Sequence, residues 1–215
     1  MQARSERTRR RLIHAGADMF NRYGYAQATL GQIAAAAGMT KGALYFHFAS
    51  KDGLADAVQE ECRGMLCGML QERGESGVAP VQTLIDMTYW LAGALHADPV
   101  VRASVRITNE CVGREPPVID FHEVCSTEVQ RLIGRAREAG DLSPRFRDAA
   151  GAAALLSATM CGLWTLAAKA ASDAELGRSV AELWDLLLAV LVPSGEAGLY
   201  HPGAPGAFGA LVGAA

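Results

Sequence analysis

Apolar residues recur every third or fourth position along most of this 215-residue chain, and no stretch sustains an alternation of apolar and polar residues. Side chains on a strand repeat with period two and those on a helix with period 3.6, so the pattern predicts an all-α fold. Hairpin turns of the Asn-Gly or Asp-Gly kind are also absent between β-branched runs. Leu12, Ile13, Gly16, Met19 and Phe20 mark one face of a first helix that closes at Tyr23-Gly24. Thr29-x-x-Gln32 is a capping box that opens a second, because hydroxyl and amide each satisfy a backbone donor there. Gly38 breaks that helix, and Thr40 opens a third that ends near Phe48. Ser50 caps a long helix to about Gln71, Pro80 begins one to about His96, and Asp98-Pro99 begins the next. A further helix runs from about Val118 to Ala139 and is closed by Gly140. Ser143-Pro144 opens a long apolar helix to about Ala171, and Ser172-x-x-Glu175 opens the last, which Pro193 stops. The count is about nine helices. Residues 194–215 hold six Gly and six Ala with Pro202 and Pro205, a composition that predicts a flexible tail.

The formal charge of −3 hides a division. Residues 1–51 carry eight Lys/Arg against Glu6 and Asp18, a net +6, and the remainder carries −9. A basic head on an acidic body points to a polyanion partner for the head alone. Five cysteines form no Cys-x-x-Cys and no Cys/His metal spacing, which predicts buried, reduced thiols, no metal site and no cofactor. The N-terminus has arginines but no apolar core of a signal peptide, and the uncharged run 149–168 is rich in Ala, Gly, Ser and Thr. A central helix of a soluble, cytoplasmic bundle fits that run better than a membrane span.

Residues 30–49 carry the chemistry. A helix-turn-helix needs a small residue where its helices touch, a glycine at the turn, and apolar locks on the second helix. Ala34, Gly38 and Leu44 stand at the required spacing, with Ile33 as a further lock. Thr40, Lys41 and Gly42 then open the helix whose N-terminal end enters a major groove. Lys41 is positioned for a base edge or phosphate, Gly42 for close backbone approach, and Tyr45 and His47 for phosphates. Arg9 and Arg10 lead in, and Thr29 and Lys51 flank the unit. Leu44-Tyr45-Phe46-His47-Phe48 is unusually aromatic for a short helix; Phe46 and Phe48 are expected mainly in the core and Tyr45 outward.

Thr29-Leu30-x-x-Ile33-Ala34-x-x-Ala37-Gly38-Met39-Thr40-Lys41-Gly42-Ala43-Leu44-Tyr45-Phe46-His47-Phe48-x-Ser50-Lys51-x-x-Leu54 resembles the DNA-binding signature of the TetR family of transcriptional regulators. It is most similar to the γ-butyrolactone autoregulator receptors of Streptomyces, in which TKGALYFHF is typical. Trp184 in the last helix resembles that subgroup too. The resemblance implies a helix-turn-helix DNA-binding domain at 1–51, a ligand-binding and dimerisation domain at 52–193, and the tail at 194–215. It also implies a homodimer on a roughly palindromic double-stranded operator, with the last two helices of each protomer pairing, and a repressor of antibiotic or secondary-metabolite genes.

The same resemblance places a small-molecule chamber in the body. Met87, Thr88, Tyr89, Trp90, Phe121, Cys125, Thr159, Met160, Trp164 and Trp184 are its candidates, with Thr88 and Thr159 supplying hydroxyls in an apolar setting. Ordinary core packing is the alternative for any one of them. Phe121 stands where the butyrolactone receptors carry Trp, which keeps an apolar wall but loses an indole N–H. A pseudo-receptor for a butenolide, a furan or an antibiotic-like intermediate is therefore the second reading beside a γ-butyrolactone receptor. A helical-bundle enzyme or an adaptor is the reading of a different class. It lacks support: no Gly-x-Ser-x-Gly, P-loop, His-Glu-x-x-His or dinucleotide fingerprint stands in a suitable context, and no catalytic residue is assigned.

Overall fold

The computed structural model describes residues 2–112, 119–146, 149–167 and 172–204. Among these, nine α-helices and two 3-10 turns account for the regular structure, and no strand occurs. The helices are α1 (Gln2–Gln27), α2 (Leu30–Ala36), α3 (Lys41–His47), α4 (Lys51–Glu75), α5 (Pro80–Ala97), α6 (Pro99–Glu110), α7 (Phe121–Ala139), α8 (Ala149–Ala167) and α9 (Asp173–Leu191). The predicted caps are in place. Thr29 and Gln32 form the full capping box, and Thr40, Asp98 and Ser172 each accept backbone donors at the start of a helix. One start differs from expectation. Ser143-Pro144 leads into a 3-10 turn, Pro144–Phe146, and the apolar helix begins only at Ala149. Ser143 N–H donates to the Leu191 carbonyl at 2.7 Å, so the residue read as a helix start is tied instead to the end of α9.

Two compact units divide the chain. The first holds Met1–Met65 with Asp98–His122, the second Leu66–Ala97 with Glu123–Ala215. In the first, Leu12, Ile13, Phe20, Ile33, Leu44, Leu54, Val58, Val100 and Ile107 are fully buried. A Cβ on Gly16 would lie 3.0 Å from Leu54 Cδ2, so the absence of a side chain there lets α1 approach α4 closely. Buried Gln59 of α4 donates to the Ser104 carbonyl at 3.2 Å and to Thr108 Oγ1 at 3.1 Å, and its own oxygen accepts from the Ser104 hydroxyl. Thr108 Oγ1 also accepts from Phe121 N–H at 3.1 Å. A buried amide left without these partners would cost about 1–3 kcal/mol, so the network keys α4 to α6 in one register.

The helix α1 is broken at Gly24, whose φ of 81° and ψ of 162° are unavailable to most residues. The break exposes backbone groups on both sides, and α6 answers them. Glu110 accepts from Tyr25 N–H at 2.6 Å, while Arg106 Nη1 donates to the Asn21 carbonyl at 2.6 Å and its Nε pairs with Glu110 at 2.6 Å. Burial alone would raise the Glu110 carboxyl, but the Arg106 hydrogen bond and charge and the N–H groups of Tyr25 and Ala26 outweigh it. The group is held below its ordinary value of 4.5.

In the second unit Val81, Leu84, Ile85, Leu91, Leu132, Ile133, Leu156, Leu163, Val180, Leu187 and Leu188 form the core. Residues 194–204, expected within a flexible tail, instead pack: Tyr200 is buried and His201 and Pro202 hydrogen-bond to α5. Burial of the Tyr200 ring, together with these hydrogen bonds, offsets the freedom its glycine-rich neighbours lose. The remainder of that tail, 205–215, lies outside the described residues. No disulfide joins the cysteines; Cys62 and Cys125 are buried, but Cys161 is exposed, contrary to the expectation of five buried thiols. Burial pushes the Cys62 thiol up to about 12, which leaves it inert.

Replacing Glu110 by Ala should lower the unfolding free energy at pH 7 by about 1–3 kcal/mol, because it strands the Tyr25 N–H and the Arg106 guanidinium. A folded carboxyl held below 4.5 stabilises the fold above 4.5 and loses that contribution as pH falls through the lowered value. Denaturant unfolding from pH 7 to pH 3 should therefore show a Glu110-dependent loss in the native chain that is missing from Glu110→Gln.

Candidate nucleic-acid interface

The helix pair α2–α3 is built as its sequence requires. Ala37, Gly38 and Met39 N–H groups donate back to Ile33, Ala35 and Ala34 carbonyls at 2.9, 3.0 and 2.8 Å, closing α2. Gly38 takes φ 65°, the left-handed turn that a Cβ would strain. Ala34 of α2 and Leu44 of α3 are both buried, as the spacing predicts. Thr40 Oγ1 then accepts from Ala43 N–H at 3.2 Å, fixing the start of α3.

That start points outward. Thr40, Lys41 and Gly42 are exposed, and Tyr45 is 55% exposed. A Cβ on Gly42 would meet nothing nearer than Thr40 Oγ1 at 3.9 Å, so no contact within the chain demands glycine there. Lys41 makes no ion pair among the described residues, and its stem runs over Gly31, where a Cβ would lie 2.7 Å from Lys41 Cε. Sequence reading missed Gly31; only the crossing of α2 and α3 reveals that it seats the lysine. His47 is half-buried with its ring edge-on to Phe46, centroids 5.2 Å apart. Phe48 is buried as expected, but Phe46 is 81% exposed, which corrects its assignment to the core. A seven-residue helix has one buried stripe, and Leu44 and the following Phe48 fill it.

The cations of this unit divide into two groups. Arg10 is exposed and, with Arg7, Arg11 and His14, lines a groove of about 410 Å³. Arg9 lies over the Phe48 ring at 5.2 Å, a contact that sets its direction while leaving its N–H donors available. Arg11, by contrast, donates to the Ala37 carbonyl at 2.8 Å and closes α2. Lys51, predicted as a DNA contact, donates to the carbonyls of Tyr25, Ala26 and Ala28 at 2.7, 3.1 and 3.2 Å. An ammonium has three donors, and these three acceptors take them, so the structure uses Lys51 to close α1. Its Nζ also sits 4.5 Å from the Tyr25 ring centre. Thr29 is exposed, with its hydroxyl engaged in the capping box.

The predicted small-molecule residues are mostly interior. Met87, Thr88, Tyr89 and Trp90 of α5, Cys125 of α7, Met160 of α8 and Trp184 of α9 are buried in the second unit, with Thr159 half-buried. Phe121 is buried in the first unit, and the Trp164 side chain lies outside the described residues. The indole N–H of Trp184 donates to Thr88 Oγ1 at 2.7 Å, and Thr88 in turn donates to the Ile85 carbonyl at 2.6 Å. Thr159 donates to Leu155 of its own helix at 2.9 Å. Both predicted hydroxyls thus have protein partners already and keep only acceptor capacity for a guest. Tyr89 donates to the Pro202 carbonyl at 2.7 Å, and burial pushes its phenol up to about 12. Among the described residues, no cluster of three or more His, Cys, Asp or Glu could hold a metal ion, and no helix is long and apolar enough to cross a membrane.

A short capped helix, open at its N-terminal face and locked by a second helix at a left-handed glycine, defines a helix-turn-helix DNA-binding regulator. Residues 12–58 match bacterial regulatory proteins of the tetR family, and residues 78–193 match the tetracyclin repressor-like C-terminal domain. The chain belongs to the TetR family of transcriptional regulators, a family of regulators rather than enzymes. It is 32% identical over 204 residues to the A-factor receptor protein of Streptomyces griseus, covering 94% of this chain and 67% of that protein. A γ-butyrolactone receptor described as ArpA-like superposes with TM-score 0.73 at 28% identity, covering 92% of this chain and 93% of the other. CprB of Streptomyces coelicolor, solved in complex with its biological operator sequence, gives TM-score 0.72 at 29% identity over 92% and 94% of the two chains.

Two substitutions separate contact from support. Gly42→Val should leave thermal unfolding nearly unchanged and lower operator affinity at least about tenfold, read by fluorescence anisotropy, because the new branch intrudes on the DNA. Lys51→Ala should lower the unfolding free energy by about 1–3 kcal/mol while the dependence of DNA affinity on salt keeps its slope.

Proposed function

We propose that this protein is a cytoplasmic, homodimeric repressor of antibiotic or secondary-metabolite genes that a γ-butyrolactone-like molecule releases from a roughly palindromic operator. The observation that carries the reading is the outward face of α3, where exposed Lys41 and a glycine with no internal need for its smallness stand together. Residues 1–51 act as the DNA-binding domain, with Arg9, Arg10, Thr29, Thr40, Lys41, Gly42, Tyr45 and His47 toward the duplex. Residues 52–193 bind effector and partner. The exposed Leu155 of α8 and Leu186 and Val190 of α9 support pairing of these helices with a second copy, since large exposed apolar side chains gain from being covered. Two heads then stand one helical turn of DNA apart, roughly 34–36 Å.

The buried Met, Tyr and Trp residues of α5, α8 and α9 support an apolar effector chamber, and relatedness to the A-factor receptor supports a lactone. A second reading, a pseudo-receptor for a butenolide, furan or antibiotic-like intermediate, is favoured by Phe121 in place of an indole. By linkage, effector and DNA must weaken one another by the same factor.

The test is a mobility shift on the DNA upstream of the protein's own gene, with and without γ-butyrolactones, butenolides and the host's antibiotics. Lys41→Ala should weaken the shift about tenfold or more with the dimer intact by light scattering. Equal affinity of mutant and native chain at matched salt would remove Lys41 from the interface. Loss of the shift with an antibiotic but not a butyrolactone selects the pseudo-receptor.

A further inference from the structure

Residues 194–204 follow the stretch that matches the family's C-terminal domain, which ends at 193. They form a 3-10 turn, Ala197–Leu199, followed by an extended strand of chain laid on α5. Among the described residues, hydrogen bonds from Gln82 and Tyr89 hold this segment. Gln82 Nε2 donates to the His201 carbonyl at 3.3 Å, His201 N–H donates to Gln82 Oε1 at 2.9 Å, and Tyr89 donates to the Pro202 carbonyl at 2.7 Å. Gln82 therefore grips one residue through both ends of its amide, as a strand partner would, and Tyr89 holds the next residue. The same Tyr89 hydroxyl lies 3.3 Å from the Gly177 carbonyl of α9, so one phenol serves the segment and the last helix.

The grip is local. Between Ser194 and Ala204 only Tyr200 is buried, while Gly195, Gly198 and Gly203 lower the resistance of the backbone to moving. A segment with one buried anchor and a few surface hydrogen bonds opens at lower free energy than the helices beneath it. Those helices are a different matter. Tyr89, which touches the segment, and Thr88 and Trp184 of the same helix pair are buried, and hydrogen bonds join Thr88 to Trp184 and Tyr89 to Gly177 across α5 and α9; the three residues are ones assigned above to the effector chamber.

We propose that residues 197–204 are a latch over the α5–α9 core, and that the core admits an apolar guest when the Gln82–His201 and Tyr89–Pro202 bonds part. The Pro202 carbonyl occupies the Tyr89 hydroxyl in the closed state. A guest bearing a carbonyl or lactone oxygen replaces it with the same hydrogen bond, in competition with the Gly177 carbonyl 3.3 Å from that hydroxyl. The nature of the guest rests on the effector reading above; the latch itself does not.

The test uses the full chain with Gln82→Ala and, separately, Tyr200→Ala. Readouts are hydrogen exchange by mass spectrometry and binding of the apolar fluorophore 1-anilinonaphthalene-8-sulfonate, without effector or DNA. Both variants should exchange faster in 197–204 and in 82–92 by roughly tenfold, take up several-fold more fluorophore, and keep the exchange of residues 12–48 unchanged. Faster exchange in 197–204 with α5 and fluorophore uptake unaltered would overturn the latch, as would no change at all. Accelerated exchange throughout residues 80–192 with a collapsed melting transition would also overturn it, making the segment part of the core. Failure of these readouts leaves DNA and effector binding untouched, and a failed mobility shift leaves the latch standing.

Discussion

The break in α1 at Gly24 sets what the DNA-binding unit must contain. A helix interrupted by a left-handed residue leaves N–H and C=O groups without partners, and each would cost about 1–3 kcal/mol if buried and unmet. Glu110 takes the N–H side, Arg106 takes the Asn21 carbonyl, and Lys51 takes three carbonyls beyond the break. Two of these three residues stand on α6, more than eighty positions along the chain. The unit therefore holds together only when 98–122 folds with the N-terminal residues. Gln59, bound on both faces to Ser104 and Thr108, repeats the constraint deeper inside.

The same accounting refines the charge argument. The +6 of residues 1–51 gives the head its field, but a field and a contact are different things. Lys51 adds to the positive potential while its three donors are taken by backbone carbonyls, and Arg11 commits one of its five donors to the Ala37 carbonyl. Lys41 and Arg10 keep theirs. Positive potential thus draws on the whole set, whereas only side chains with open donors are free to make directed hydrogen bonds to a partner.

Local features were readable from the sequence because their causes are local. Thr29-x-x-Gln32, Thr40, Gly38 and Asp98 each act within four residues, and all lie where the spacing predicts. The helix pair α2–α3 was legible for the same reason. Long-range causes were not. Lys51 reads as a surface cation until the fold brings Tyr25, Ala26 and Ala28 to it, and Phe46 reads as core until Leu44 and Phe48 claim the only buried stripe. The tail misleads through composition: seven of the residues 194–204 are Gly, Ala, Ser or Pro, and the buried Tyr200 that anchors them is a single residue. The start of α8 misled because Ser-Pro, a helix-opening pair, here opens a 3-10 turn tied to Leu191.

A ligand can shift an equilibrium only by its differential affinity for the two states, so a switch needs a body whose guest-bound form differs and a path that carries the difference. The chain crosses between its two units at three places, 65/66, 97/98 and 122/123. Two of these crossings fall inside continuous helices, α4 and α7, and the third falls between the end of α5 and the Asp98 cap of α6. In the first unit α4 meets α6 through Gln59, whose amide donates to the Ser104 carbonyl and Thr108 Oγ1 and accepts from the Ser104 hydroxyl. A shift of α4 against α6 within that unit therefore costs buried hydrogen bonds, each worth about 1–3 kcal/mol when left unmet, which holds the pair in one register.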